Sequence, residues 1–288
     1  MRQSVFAARN IYDKLTKVVG DWNTLRFYWQ HYVLSRFDVA EPDLYIVSYP
    51  KCGRTWLRVL LQKYLALLDL PLEHYHDRTL LGIAGDRLIK FEHDQGNWVP
   101  APPRIDQLAF DTAKYAGKKV VFLVRDPRDV LVSSWYHLRY REHIYPHDLA
   151  TFIRDDLVGI EKVIAFMNMW IEHRHVPEAF YLTTYEQMHE TPMTVLEAVL
   201  PFLGLAVDRE ALEQAIAEST FSNMKRMERD GVLKEPWMKP GAKHLRESMK
   251  VRKGKVGSFR EELSDESIAF LNDRIRHSLS DKLPYRNV

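Results

Sequence analysis

Cysteine is almost missing from this chain: Cys52 stands alone among 288 residues. That excludes an internal disulfide framework and any zinc site built from cysteines, and it suits a reducing compartment. A surplus of either charge is missing too. The 41 Lys and Arg residues face 39 Asp and Glu, for a formal net charge of +2. No block of five like charges occurs, so nothing in the composition points to a nucleic-acid partner, and any anion site has to be local. Long apolar runs are absent: no segment approaches the roughly 18 residues that a membrane-spanning helix needs. Arg2, Arg9, Asp13, Lys14 and Lys17 interrupt the opening stretch before a signal-peptide core could form. Internal repeats, low-complexity tracts and a dividing linker are lacking as well. With 46% hydrophobic and 28% charged residues, the chain is expected to form one large α/β domain in the cytoplasm.

What is present is organised around Leu44 to Leu68, LYIVSYPKCGRTWLRVLLQKYLALL. Leu44 to Ser48 alternates little and reads as a buried parallel strand, whereas Trp56, Leu57, Leu60, Leu61, Tyr64 and Leu68 recur at helical spacing. Between them lies a short basic turn shaped by Pro50 and Gly53, with Lys51 adding a mobile positive charge. The first N–H groups of a helix have no partner within it, so a strand, tight turn and helix in this order form an anion-binding junction. It is not the G-x-x-x-x-G-K-[ST] loop, because Lys51 precedes a single glycine. Taken alone, Lys51 would as readily be a solvated loop lysine, and Cys52 at a helix N-terminus is only a lesser candidate for a nucleophile.

Along the rest of the chain, Ile11, Leu15, Val18, Trp22 and Leu25 predict an N-terminal helical extension over residues 1–40, with a domain over 41–288. The extension is expected to cover the domain, and a membrane-surface or partner-binding helix is the alternative, since basic and aromatic residues mix there. Residues 73–85 read as loop. Arg87 to Phe91 reads as a strand running into Glu92, His93 and Asp94, where ligand crevices form in open α/β sheets. A helical stretch is expected around Ile105 to Tyr115. KVVFLV, 119–124, is the clearest strand, with helix expected from Val130. Helices follow over Asp148 to Leu157 and Ile160 to Trp170, then a strand over Phe180 to Thr184. Further helices are predicted from Pro192 to Leu203, over Arg209 to Ala217 and over Asp265 to Ser278, with Met227 to Lys250 as a long irregular loop.

Three strings resemble, in order, the signatures of the sulfotransferases that use 3'-phosphoadenosine 5'-phosphosulfate (PAPS). SYPKCGRTW is similar to the family loop YPKSGTTW. RDPRDVLVSSWYH resembles its second motif, and RKGKVGSF its third, RKGxxGDW, with Ser258 where Asp is usual. STFSNMK also resembles a family segment that contacts the nucleotide. The resemblance implies a central parallel sheet of about five strands flanked by helices. It implies that Lys51, Cys52, Gly53, Arg54 and Thr55 hold the 5'-phosphosulfate and that Trp56 stacks on adenine. By the same resemblance, Arg125, Ser133, Arg252, Lys253 and Gly254 take the 3'-phosphate, with Tyr185, Phe221 and Met224 around the adenine.

The family base is a histidine in K-T-H; here His93 holds that position while Phe91 replaces the lysine, and Glu92 is the second candidate. The activity so implied is transfer of a sulfuryl group from PAPS to a hydroxyl or amine of a small molecule, glycan or lipid. In it, His93 takes the proton, Lys51 steadies the leaving phosphate, and no metal is required. A P-loop nucleotide kinase and a catalytically silent nucleotide-binding scaffold are the competing readings. Neither the acceptor nor the oligomeric state is written in a transferable code. The acceptor side falls on Glu73 to Gly85, Arg139 to Ile144 and Met227 to Lys250.

Overall fold

The computed structural model describes residues 42–70, 73–74, 80–83, 87–98, 102–230 and 246–286. The helix expected over residues 1–40 lies outside them, as do residues 231–245 of the expected long loop. Among the described residues, strands β1 (Leu44–Val47), β2 (Glu73–His74), β3 (Leu80–Ile83), β4 (Arg87–Glu92), β5 (Lys119–Val124) and β6 (Ala179–Thr184) form one sheet in the order β2-β3-β4-β1-β5-β6. Strands β4, β1, β5 and β6 are parallel neighbours, with Val47 level with Glu92 on one side and Phe122 on the other. The α/β class is as expected, but the sheet has four parallel strands, and two antiparallel ones extend it on the β4 side. Residues 73–85 are thus not all loop. Strands of two and four residues are too short to display a period, and pairing to β4 is what makes them strands.

The helices are α1 (Arg54–Leu67), α2 (Thr112–Tyr115), α3 (Pro127–Tyr136), α4 (Leu149–Phe152), α5 (Ile160–Glu172), α6 (Tyr185–Glu190), α7 (Pro192–Phe202), α8 (Arg209–Glu218), α9 (Phe221–Asp230) and α10 (Asp265–Ser278). Several differ from the expected bounds for local reasons. Helix α3 opens three residues early because the Asp126 carboxylate caps it, accepting from the Arg128 N–H, with Pro127 in the first turn. Ser133 is therefore in its second turn. The stretch Ile105 to Tyr115 splits into a single tight turn, Ile105–Gln107, and α2, which Asp111 caps separately. Helix α4 stops at Phe152, and the Asp155 carboxylate then accepts from the Leu157 and Val158 N–H groups, which is turn chemistry. Helix α9 runs on to Asp230, into the segment expected to be irregular.

The core is the sheet between its helices. β1 is buried throughout, and Val121, Phe122 and Leu123 of β5 are fully enclosed. From α5, Trp170 stacks on Phe122 at 5.5 Å between ring centres and meets Tyr115 edge-on at 4.8 Å. Each such side chain contributes on the order of 2 to 3 kcal/mol by leaving water. Because β4, β1, β5 and β6 run in parallel, their carboxyl ends share one edge, and the loops that follow them converge there.

Candidate active site

The loop after β1 is shaped by backbone rather than by length. Lys51 and Gly53 both take left-handed conformations, with φ of 71° and 98°. Glycine is required at 53, since a Cβ there would come within 2.5 Å of the Tyr185 ring. The turn aims the start of α1 at the shared edge. No side chain caps that start and no acidic residue stands in its first turn, so its N–H groups and dipole are left to attract an anion.

A cavity of about 410 Å³ opens at this edge. Lys51, Gly53, Arg54, Thr55 and Trp56 line it from the loop and α1, and His93 from the end of β4. Arg125 and Ser133 enter from β5 and α3, Tyr185 from α6, and Phe221 and Met224 from α9. Arg252, Lys253 and Gly254 close the wall opposite. Of the residues the motifs single out, Cys52 stands apart. It is 0% exposed in the core, and burial drives its thiol well above the usual range, so it is neither a nucleophile nor part of the wall.

The remaining lining was not read from the sequence. Trp98 and His137 meet at 5.6 Å in the cavity wall, and His137 closes the very string that marks the second motif. Lys250 and His189 are among the further additions.

Two buried carboxylates hold these walls together. Asp129 accepts from the Gly257 N–H at 2.8 Å, the Phe259 N–H at 2.9 Å and the Ser258 hydroxyl at 3.1 Å. It also pairs with Arg125 at 3.3 Å, so one acid ties the second motif to the third. Ser258, which departs from the family's aspartate, is a hydrogen-bond donor to this acid. Glu228 accepts from the backbone N–H groups of Lys250 and Val251 and pairs with Arg141 at 3.1 Å. Arg252 and Lys253 are held in turn by Glu262, at 2.8 and 2.5 Å, with Arg252 lying 3.8 Å over the Tyr136 ring. Gly254 at φ 61° leaves no room for a Cβ, which would fall 1.8 Å from the Phe221 ring.

Electrostatically the cavity is strained by its own cations. Lys51 is lowered to about 7, first by burial and then by Arg141, Arg125 and Arg252, with Glu228 opposing. Lys250 is likewise brought to about 7 by burial and by Lys51, Arg141 and Arg54. Buried, mutually repelling cations of this kind are stabilised by a bound anion. Lys51 is therefore no mobile surface charge.

His93 is fixed by a hydrogen bond from its Nδ1–H to the Ser48 carbonyl at 2.9 Å. A carbonyl only accepts, so Nδ1 carries the proton and Nε2 keeps its lone pair. Burial, then the Arg54 charge, hold the imidazole well below its ordinary pKa, so it is neutral. Glu92 points elsewhere. Its carboxylate accepts from the Tyr115 hydroxyl at 2.5 Å and pairs with Lys114 at 2.8 Å, both on α2, and it does not line the cavity. The described residues hold no cluster of His, Cys, Asp and Glu able to bind a metal, and none of their helices is long and apolar enough to cross a membrane.

Comparison with known proteins places these features in company. The family model described as a sulfotransferase domain matches residues 106–282. Cytosolic sulfotransferase 16 of Arabidopsis thaliana is 23% identical over 297 residues, covering 93% of this chain and 85% of its own. Among solved structures, a mouse sulfotransferase complexed with PAP superposes with a TM-score of 0.59 at 20% identity, over 86% of this chain and 88% of that one. A retinol dehydratase in complex with androsterone and inactive cofactor PAP gives 0.61 at 18%, over 85% and 83%.

Proposed function

The chain belongs to the sulfotransferase-domain family, and we propose that it transfers a sulfuryl group from PAPS to a hydroxyl of a small-molecule acceptor, with His93 as the base. The observation that carries this reading is the setting of His93. A neutral imidazole has its Nδ1–H engaged by Ser48 and its Nε2 lone pair free for a proton, in the same cavity as Lys51 and the start of α1. The cytosolic relative supports a cytosolic setting.

The residues present fit PAPS. Arg54 Nη1 and Arg125 Nε are buried without a hydrogen-bond partner among the described residues, which is where an anion is wanted. When bound, PAPS supplies the activated sulfuryl group. Lys51 and the first N–H groups of α1 would hold the 5'-phosphosulfate and stabilise the negative charge that grows on the leaving oxygen. Arg125, Ser133, Arg252 and Lys253 would take the 3'-phosphate. Trp56, whose Nε1–H is tethered to the Ser219 carbonyl at 2.9 Å, would flank the adenine with Tyr185 and Phe221. His93 Nε2 would accept the hydroxyl proton as the acceptor oxygen attacks sulfur.

Labelled PAPS offered with a pool of phenols, alcohols, glycans and glycolipids tests the activity. Turnover is expected, and His93→Ala should lower it by roughly 10² to 10⁴ while PAP still binds. Binding of PAP with no transfer to any acceptor would favour a silent scaffold. Transfer that survives His93→Ala but is lost in Glu92→Gln would move the base.

A further inference from the structure

We infer that the acceptor carries a second hydroxyl near the one that is sulfated, and that His137 Nδ1 accepts a hydrogen bond from it. The inference rests on the transferase reading and deepens it.

The backbone after α3 is shaped to hold this imidazole. The helix runs on through His137–Arg141 as a π-helical turn, closed by the Glu142 N–H donating to the His137 carbonyl, five residues back, at 3.0 Å. At 3.6 residues per turn, residues five apart on an α-helix point to different sides. The wider turn brings them into line, and Glu142 Oε1 lies 3.3 Å from His137 Nε2. Turns of this kind are rare and gather at functional sites. The arginines of the same turn are engaged elsewhere: Arg139 donates to the Pro146 and His147 carbonyls, and Arg141 pairs with Glu228.

A carboxylate only accepts, so Nε2 carries the proton and Nδ1 keeps its lone pair. At His173 and His277, Nδ1 meets the carbonyl four residues back at 2.8 Å. At His137 it has neither that bond nor another hydrogen-bond partner among the described residues, and the side chain lines the cavity. Burial, then the Lys51 charge, hold the imidazole below its ordinary pKa; Glu142 opposes them and Lys250 adds to the repulsion. The ring is therefore neutral, and its lone pair awaits a donor.

The ring belongs to the sulfuryl end of the cavity. Lys51 and Lys250 act on both His93 and His137. Trp98, which meets His137, follows His93 after the tight turn Asp94–Gly96, and that turn packs on the Lys51 loop so closely that a Cβ at Gly96 would lie 3.1 Å from Pro50 and Tyr49. A phosphosulfate at this end offers only acceptor oxygens, and the nucleotide's own donors, on adenine and ribose, lie on the far side of its 5'-phosphate. An ammonium would be repelled by Lys51 and Lys250. The transfer releases one proton, which His93 takes, so the second imidazole binds rather than reacts. A neutral hydroxyl of the acceptor is the donor that remains.

The test uses the full chain with PAPS and catechol, resorcinol and hydroquinone. Each is set against its monomethyl ether, which has no second donor, and against phenol, which has no second group to clash. At least one diol should exceed both controls by about fivefold or more in kcat/KM per hydroxyl, the worth of one neutral hydrogen bond. Calorimetry on the PAP-loaded protein should show the same preference in binding. His137→Phe keeps a ring against Trp98 without a lone pair, and should bring the ratio to within about twofold of unity. Glu142→Gln lets the other tautomer form, so its ratio should fall between the two. Nitrogen NMR of histidine-labelled protein should place the His137 proton on Nε2 in the wild type and spread it over both ring nitrogens in Glu142→Gln. Thermal melting of each variant confirms that it is folded. The inference is overturned if no diol reacts or binds better than its controls, if the wild-type proton sits on Nδ1, or if His137→Phe keeps the preference. A His137→Phe variant that loses diol and phenol alike, by roughly a hundredfold or more, overturns it too and assigns His137 to proton transfer. All of these leave the transferase reading intact, whereas failure of the wild type to bind PAP overturns that reading itself.

Discussion

Replacing Asp129 by alanine tests whether one buried acid really joins the two motifs that flank the cavity. The carboxylate is 0% exposed, accepts three hydrogen bonds from Gly257, Ser258 and Phe259, and pairs with Arg125. Its removal leaves a buried guanidinium and two buried N–H groups uncompensated. Breaking a buried ion pair from one side costs about 3 to 5 kcal/mol. For a chain of this size each kcal/mol lowers the melting midpoint by roughly 2 to 4 °C, so a fall of roughly 6 to 20 °C is expected. Asp129→Asn keeps one oxygen for the Ser258 and Phe259 donors and should fall less. Ser258→Ala loses only a neutral hydrogen bond of about 1 kcal/mol and should fall least. Differential scanning calorimetry on the three variants gives the order directly. An Asp129→Ala midpoint no lower than that of Ser258→Ala would refute the reasoning, because the acid would then be no more than a solvated helix residue.

Four further outcomes follow from the cavity. Lys51 and Lys250 are both held at about 7, and loss of their protons removes attraction for an anion, so PAP affinity measured by calorimetry should weaken as pH rises through 7 to 8. In the opposite direction His93 is depressed well below 6.5, so it stays neutral and basic on acidification, and the acid limb of the turnover profile should lie below 6.5. Lys51→Ala should reduce kcat more than it reduces PAP affinity, since its charge counts most when the leaving oxygen becomes negative; steady-state rates at saturating PAPS check this. Gly254→Ala places a methyl group against the Phe221 ring at a φ that costs a side chain about 1 to 2 kcal/mol, and PAP affinity should drop about tenfold or more.

Legibility in the sequence followed the range of the interaction. KVVFLV could be read as a strand because its six residues carry the signal themselves, between Gly117 and Arg125. β2 and β3 could not, because they exist by pairing with β4. The motif residues were legible as strings, and all of the predicted site residues but Cys52 and Glu92 line one cavity, yet what holds them there was not legible. Asp129 reaches Gly257 across 128 residues of sequence, and nothing local distinguishes it from the neighbouring Asp126, whose partners are the cap of α3 and Arg128 two residues on. Glu228 reads as one more charge on a polar helix until its contacts with Lys250 and Val251 are known, 22 and 23 residues on.

The Phe91 departure shows the same limit from the other side. Read as a string, phenylalanine two residues before the base looks like the loss of a positive charge from the reaction centre. In the fold, the Phe91 ring is buried beneath the Arg58 guanidinium, and Arg54, one turn nearer the start of α1, is the leading charge acting on His93. The cation beside the base is thus supplied from the helix rather than from the strand. A helix-borne arginine differs from a strand-borne lysine in what it can hold, since its planar fork of donors can engage a carboxylate through two parallel bonds whereas an ammonium is a point charge. The rotation of α1 against β4 decides which charge of the helix acts on the imidazole. That rotation is fixed by packing across the sheet, so no pattern within either segment could reveal it.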